Sequence, residues 1–485
     1  MGLSLALDSA RSALLATSSQ IAASARNTAG ANDPGYSRKV VSLVSGVGGT
    51  TVVVTRASDA ALFMRKLAAS SGAAERQALL DGITALSKTV GDTSEAGSPA
   101  ARLGTLNAAL QAAANRPDDA NLARAAVESA RDLAASLNAA ASAVEQVRSQ
   151  ADQGMADSVS RINDLLGQFE TANRAVMRGT AAGQDISDSL DARDRVLAQF
   201  SEEVGITVSD RSGGDMAIYT DSGVPLYERG ARTVSFSPRA GFPAGTQGAA
   251  VMVDGVPVTG ATSPMRIASG KLAGFAALRD ETAVAYQGQL DAIAGALVDT
   301  FQEADTRSPP AYVGPMAGLF TAVSGGALPA SQTGLASRIA LNAAVDPQAG
   351  GDVTLLRDGG MNGSGYRANP STDASYAGRL RALTGGLSAA RSFDPGPSLR
   401  ETATLAGFAA DSAGWLEASR KAASNDADYQ KTLLGRATEA LSNVAGVNGD
   451  DETAQILQLQ RSYTASAKIL TMVDDLLKTL FAAVR

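Results

Sequence analysis

The sequence predicts a mainly α protein with inserted β: a long-helix rod domain, a discontinuous terminal coiled-coil domain and a small all-β module. Three observations carry this. Seven-residue apolar spacing recurs at both chain ends, a nearly unbroken helical pattern fills 118–178, and short β-branched runs punctuated by Gly and Pro crowd into 206–268. The chain has 485 residues, enough for about three domains of ~150 residues.

Taken in order, residues 3–28 form an amphipathic helix in which Leu7, Leu14 and Ile21 make one row and Leu3, Ala10 and Thr17 the alternate row. Asn32-Asp33-Pro34-Gly35 stops it, because Pro34 fixes φ for a turn and Gly35 accepts φ > 0. Thr50–Arg56 is a β-branched strand, and Asp59 is placed to cap a helix over 60–90. A loop at 91–98 leads to a helix over 99–115, ended before Pro117. The 118–178 helix, weakest at Gly154, would be about 90 Å long at 1.5 Å per residue. Such length suggests a rod, not a globular enzyme core. A helix over 185–205 precedes the β module, whose runs are ITVSD, MAIYT, TVSFS and AAVMVDGVPV.

Helix returns at 271–305. Residues 306–372, rich in Gly, Pro, Ser and Asp, form a loop-dominated insert with a few strands or short helices, and helices resume over 373–390 and 398–445. At the C-terminus Ile456, Tyr463, Leu470 and Leu477 form one heptad row, and Leu459, Ser466, Val473 and Leu480 the other. Heptads at both ends with β texture between them imply nesting. The expected domains are therefore 1–45 with 446–485 (terminal, polymerising), 46–205 with 271–305 and 373–445 (rod), 206–270 (β) and 306–372 (insert).

Composition narrows the function. There is no Cys and no His, which removes cysteine nucleophiles, His-based triads, thiolate or imidazole zinc sites and disulfides. A net charge of −7 gives no general attraction to nucleic acid or anionic lipid. Only 4% of residues are aromatic, so bulky anchors for a small-molecule pocket are scarce. No run of ~18 apolar residues suggests a membrane span. Asp8 and Arg11 interrupt the apolar N-terminus and no basic region precedes it, so no cleaved leader is expected. The carboxylates at Asp118/Asp119, Asp450/Asp451/Glu452 and Asp474/Asp475 lack an aromatic platform for glycosidase chemistry. Two of these clusters adjoin helix starts, where they meet the helix dipole. No catalytic, metal or cofactor-binding residues are assigned, and no cofactor is expected.

The terminal heptads read either as an ordinary intramolecular pair or as surfaces for neighbouring copies. The small Ala, Thr and Ser residues of the N-terminal row bury little area at ~25 cal/mol per Å2, which favours the second. Such ends would fray in the monomer and order on assembly. The assembly seam is assigned to Leu7, Leu14, Ile21, Ile456, Leu459, Tyr463, Leu470, Val473 and Leu477, and the turn signature to Asn32, Pro34, Gly35 and Tyr36.

Ala31-Asn32 with Pro34-Gly35-Tyr36-Ser37-Arg38 resembles the signature of the flagellar axial proteins, departing at Gly30, where Asn is usual, and Asp33, where Thr is usual. Gly446-Val447-Asn448, Asp451–Ala454 and Leu457–Lys468 are similar to the closing helix of the same family, departing at Gly449 and Leu459. Val52–Arg56 with Asp59 and Leu62, Leu190–Leu197 and Gly270–Phe275 with Leu278–Glu281 narrow the resemblance to hook-associated proteins of the hook–filament junction. Taken alone, Arg193/Asp194 and Arg279/Asp280 are solvated helix charge.

The resemblance implies a structural adaptor of the bacterial flagellum, not an enzyme, joining hook to filament by helical-lattice packing. Its implied partners are the hook protein, a second hook-associated protein, its own copies in a ring, and a cytoplasmic export chaperone on the C-terminal helix. Neither nucleic-acid binding nor membrane insertion is implied. Its implied location is extracellular, reached by type III export. The alternatives are a hook- or rod-type axial protein, or a carbohydrate-binding or enzymatic module within 206–372.

Overall fold

In the computed structural model, residues 2–46, 49–91, 94–305, 307, 314–322, 327–393 and 399–483 are described. Parts of the insert (306, 308–313 and 323–326) and the side chains of Leu3 and Leu480 lie outside them.

The chain starts in a helix, α1 (Gly2–Gly30), turns at 31–37, and enters an antiparallel hairpin of β1 (Lys39–Gly46) and β2 (Gly49–Arg56), with Lys39 opposite Arg56. The sequence pattern predicts the second strand alone. Its partner comes from the aliphatic run Val40–Val44, which the neighbouring glycines let fold back. Asp59 caps α2 (Ala60–Val90), accepting from the Leu62 amide at 2.9 Å. Ser98 and Asp119 likewise cap α3 (Pro99–Asn115) and α4 (Ala120–Ala181).

The 62-residue α4 is the spine. Gly154 does not break it; the position is glycine because a Cβ there would lie 2.8 Å from the Phe275 ring. The glycine is a notch that lets a later helix seat. Apolar residues at Leu133, Leu137, Val144, Val147, Met155, Ile162 and Phe169 keep to one buried stripe. Helix α3 packs on the first half of α4, and α5 (Ser187–Glu203) on the second half.

The β module follows as two small antiparallel sheets. One orders β3 (Ile206–Asp210), β4 (Met216–Thr220) and β5 (Pro225–Tyr227); the other orders β6 (Val234–Ser235), β7 (Met252–Val253) and β8 (Val256–Pro257). Ile218, Leu226, Val234 and Val251 form one core with Leu165, Leu166 and Phe169 of α4 and Phe200 of α5. The chain returns through α6 (Lys271–Ala277) and α7 (Ala283–Thr300), where the sequence predicted one helix over 271–305. A π-helical turn at Leu278–Thr282 separates them. Within that turn Arg279 points inward and is fully buried; it pairs with Asp152 and Asp280 and donates to the Ala249 carbonyl at 2.8 Å. Arg148 of α4 donates to the carbonyls of Arg279 and Thr246. Two buried arginines thus bind the 242–249 segment to the spine. Arg279 is not solvated helix charge, because its carbonyl and carboxylate partners replace water.

Gly270 and Gly274 explain the returning motif. Gly270 holds φ +91, and a Cβ there would meet the Val204 backbone at 2.5 Å; at Gly274 it would meet the Glu75 carbonyl of α2 at 2.4 Å. The insert carries β9 (Phe320–Thr321), β10 (Ala340–Leu341) and α8 (Leu355–Asp358). It is no mere surface loop: Leu319, Phe320, Leu335, Ile339, Val345 and Leu356 complete the core shared by α3, α4 and α7. These apolar residues follow no regular period, which is why the sequence hides them. Helix α9 (Gly378–Ser388), a hairpin of β11 (Ala390–Ser392) and β12 (Thr402–Thr404), and α10 (Leu405–Ala445) follow. The predicted helices over 373–390 and 398–445 are thus trimmed at their starts. Helix α10 runs back along α2, and α11 (Gly449–Ala483) packs on α1, so the two chain ends meet.

Candidate assembly site

The α1–α11 pair is narrow. Ala10, Ala16, Thr17, Ala23 and Ser24 of α1 and Val473 of α11 are buried. Leu7, Leu14, Ile21, Ile456, Leu459, Leu470 and Leu477 are half-buried, and Tyr463 is 44% exposed. The small row lets the backbones approach, so the larger aliphatics flank the contact instead of filling it. Other apolar side chains face outward: Leu15 (59% exposed), Leu457, Ile469, Met472 (61%) and Leu476. Ile469, Met472 and Leu476, spaced by three and four, make a stripe on α11 that no other element covers among the described residues.

The base of this pair is a polar joint. Asn27, 1% exposed, uses its whole amide: Nδ2 donates to the Lys39 carbonyl (3.0 Å) and Glu452 Oε1 (2.9 Å), while Oδ1 accepts from the Lys39 amide (2.7 Å) and the Tyr36 hydroxyl (2.9 Å). One side chain therefore ties α1 to the turn, to β1 and to α11. Burial, partly offset by Arg26, pushes the Tyr36 phenol up to about 12. The Lys39 ammonium lies 4.7 Å over the Tyr36 ring. Gly30 stands where it must, since a Cβ there would come within 2.6 Å of that ring.

The same Lys39 ammonium pairs with the buried Asp191 of α5. Arg56, at the end of β2, bridges Asp191 at 3.0 Å and Asp194 at 2.7 Å. Burial raises the Asp194 carboxyl despite Arg56. The Ser37 amide also donates to Asp191. Arg193, 5% exposed, turns the other way to the Asn173 side chain and the Gly214 carbonyl, so it too is not solvated charge. Asp33 accepts from the Gly35 amide at 2.8 Å, closing an Asx turn, and pairs with Arg195; Asn32 and Pro34 are exposed beside it. The turn, α5 and the ends of α2 and α10 enclose a cleft of about 880 Å3.

The structure thus brings the separately recognised turn, strand and α5 segments to one place. Sequence reasoning missed Asn27 and Lys39, and read Glu452 only as part of an acidic cluster at a helix start. The available signal for Asn27 was its place one helical turn beyond Ala23, on the small-residue face of α1. The acidic clusters have structural work: Asp119 caps α4, Glu452 holds Asn27, and Asp474 and Asp475 face Lys478. Among the described residues no group of acidic side chains could hold a metal, and no helix is long and apolar enough to cross a membrane.

Residues 73–307 match the family model of the flagellar hook-associated protein FlgK helical domain. Residues 440–482 match that of the flagellar basal body rod FlgEFG protein C-terminal region. The two fall where the rod helices and the closing helix lie, and together they span more than half of the chain. By these models the chain carries the helical domain of a flagellar hook-associated protein over 73–307 and the closing segment of the flagellar rod proteins over 440–482. No curated protein matches significantly. Among solved structures, the flagellar hook junction protein FlgK from Burkholderia pseudomallei matches at 22% identity and a TM-score of 0.43, covering 54% of this chain and 47% of that one. The match thus spans about half the length of that solved relative, and the assignment rests on the two family models.

Proposed function

We propose that the chain is a structural adaptor of the flagellum, joining hook to filament through its terminal helices. The observation that carries this is the α1–α11 pair: helices whose mutual seam is made of small residues and whose outer apolar stripe has no cover among the described residues. Heterologous packing of such a surface on unlike neighbours propagates a tube instead of closing a dimer. In this reading Leu7, Leu14, Ile21, Ile456, Leu459, Tyr463, Leu470, Val473 and Leu477 form the assembly surface, and Asn32, Pro34, Gly35 and Tyr36 set the exit from it. Residues 1–45 with 446–485 act as the inner unit, the long helices as the outer rod, and 206–270 and 306–372 as its attachments. Hook protein, a second junction protein and further copies are the partners, with an export chaperone covering the C-terminal helix beforehand. The adaptor works outside the cell and performs no catalysis.

The test is binding of the purified chain to isolated hooks, scored by electron microscopy. Ends of hooks should be capped by the unmodified chain and left bare by Leu470→Asp, with unchanged helix content in the rod. Equal capping by both would refute the assignment of the seam.

A further inference from the structure

The terminal pair meets the rod along α5, and the ion pairs there are of two kinds. In the middle the contacts are mostly dry: the Lys39 and Asp191 side chains are 0% and 5% exposed, and Arg56 spans Asp191 and Asp194 beside them, with Lys39 also reaching the exposed Asp188 at 3.3 Å. On either side they are wet. Before the start of α5, Arg26 of α1 reaches Asp185 at 3.4 Å. One turn beyond the dry centre, Arg195 reaches Asp33 of the turn at 3.2 Å, both side chains being about half exposed. Exposed pairs are weak and screened by salt; buried ones are screened far less. The cleft of about 880 Å3 opens beside Asp33 and Arg195, leaving space into which residues 31–37 can move. Gly35 lets the Arg195 guanidinium approach, since a Cβ there would lie 2.7 Å from its Nε.

We propose that the α1–α11 pair rocks on the rod about the Lys39–Asp191–Arg56 centre, with Arg26–Asp185 and Asp33–Arg195 as latches on opposite sides of the pivot. A tilt that narrows the cleft tightens Asp33–Arg195 and stretches Arg26–Asp185; the opposite tilt reverses both. In the structure both latches are made, Arg26–Asp185 at 3.4 Å and Asp33–Arg195 at 3.2 Å. The device is a property of the chain alone and stands whatever the terminal pair docks onto.

The chain lacks cysteine, so Ser18→Cys with Thr171→Cys places two spin labels, one on the exposed side of α1 and one on the exposed side of α4. Pulsed electron spin resonance on the full-length chain should give a defined distance distribution. Arg195→Ala should move its centre one way and Arg26→Ala the other. Salt that shortens the Debye length from about 10 Å to about 3 Å should broaden it, and Asp191→Asn should remove the defined peak. Three results would overturn the proposal: one unmoving peak in both latch variants, shifts of the same sign in both, or no defined peak in the unmodified chain.

Discussion

Asn27→Ala tests the joint most sharply, because one truncation removes four hydrogen bonds that converge from three directions. Three are between neutral groups, each worth about 1 kcal/mol net, and the one to the Glu452 carboxylate is worth about 1.5–3 kcal/mol. Their sum, about 5 kcal/mol, is a ceiling, because the joint lies at the edge of the rod and water can refill part of the space. A loss of about 2–4 kcal/mol is expected, confined to the α1–α11 unit, since α4 takes its stability from a separate core of Leu133, Leu137, Val144 and their neighbours. At about 1.4 kcal/mol per tenfold, amides of α1 and α11 should exchange with solvent roughly 30- to 700-fold faster, while those of α4 stay unchanged. Glu452→Ala should speed the same amides, and the double variant should fall short of the sum of the singles. Unchanged exchange in α1, equal acceleration in α4, or no protection of α1 to begin with would refute the reasoning.

Gly274→Ala should lower the melting temperature. The helix gains about 1 kcal/mol of propensity, but the new methyl meets the Glu75 carbonyl of α2, a backbone atom that cannot yield, at a cost of about 1–3 kcal/mol. A raised melting temperature would show that α6 does not seat on α2 as described. Tyr36 should titrate near 12, read as the tyrosinate absorbance lost in Tyr36→Phe. Its folded-state value is raised, so its contribution to stability is complete below the ordinary value near 10 and vanishes as pH climbs through 12. Titration of Tyr36 alongside exposed tyrosines would contradict its burial against Asn27.

The long helices were legible because period and caps agreed: Asp59 and Asp119 sit where the apolar stripes begin. Gly154 misled as a weak point because its reason lies on another element, the Phe275 ring. The π turn at Leu278–Thr282 was invisible because a one-residue bulge barely disturbs a helical pattern, although the Arg279 it buries was in view. The insert hid its core residues behind loop composition. At the assembly site the heptads located the paired helices, but size decided the contact: small residues took the seam and pushed Leu7, Leu14 and Ile21 to its flanks. The polar joint needed the third dimension, since Asn27 and Glu452 stand 425 positions apart in the chain.

The most direct measurement is electron microscopy of a bacterial strain from which this gene has been deleted. The account predicts intact hooks without filaments and flagellin shed into the medium, with attachment restored by the unmodified chain. Full-length filaments on the deletion strain would contradict it.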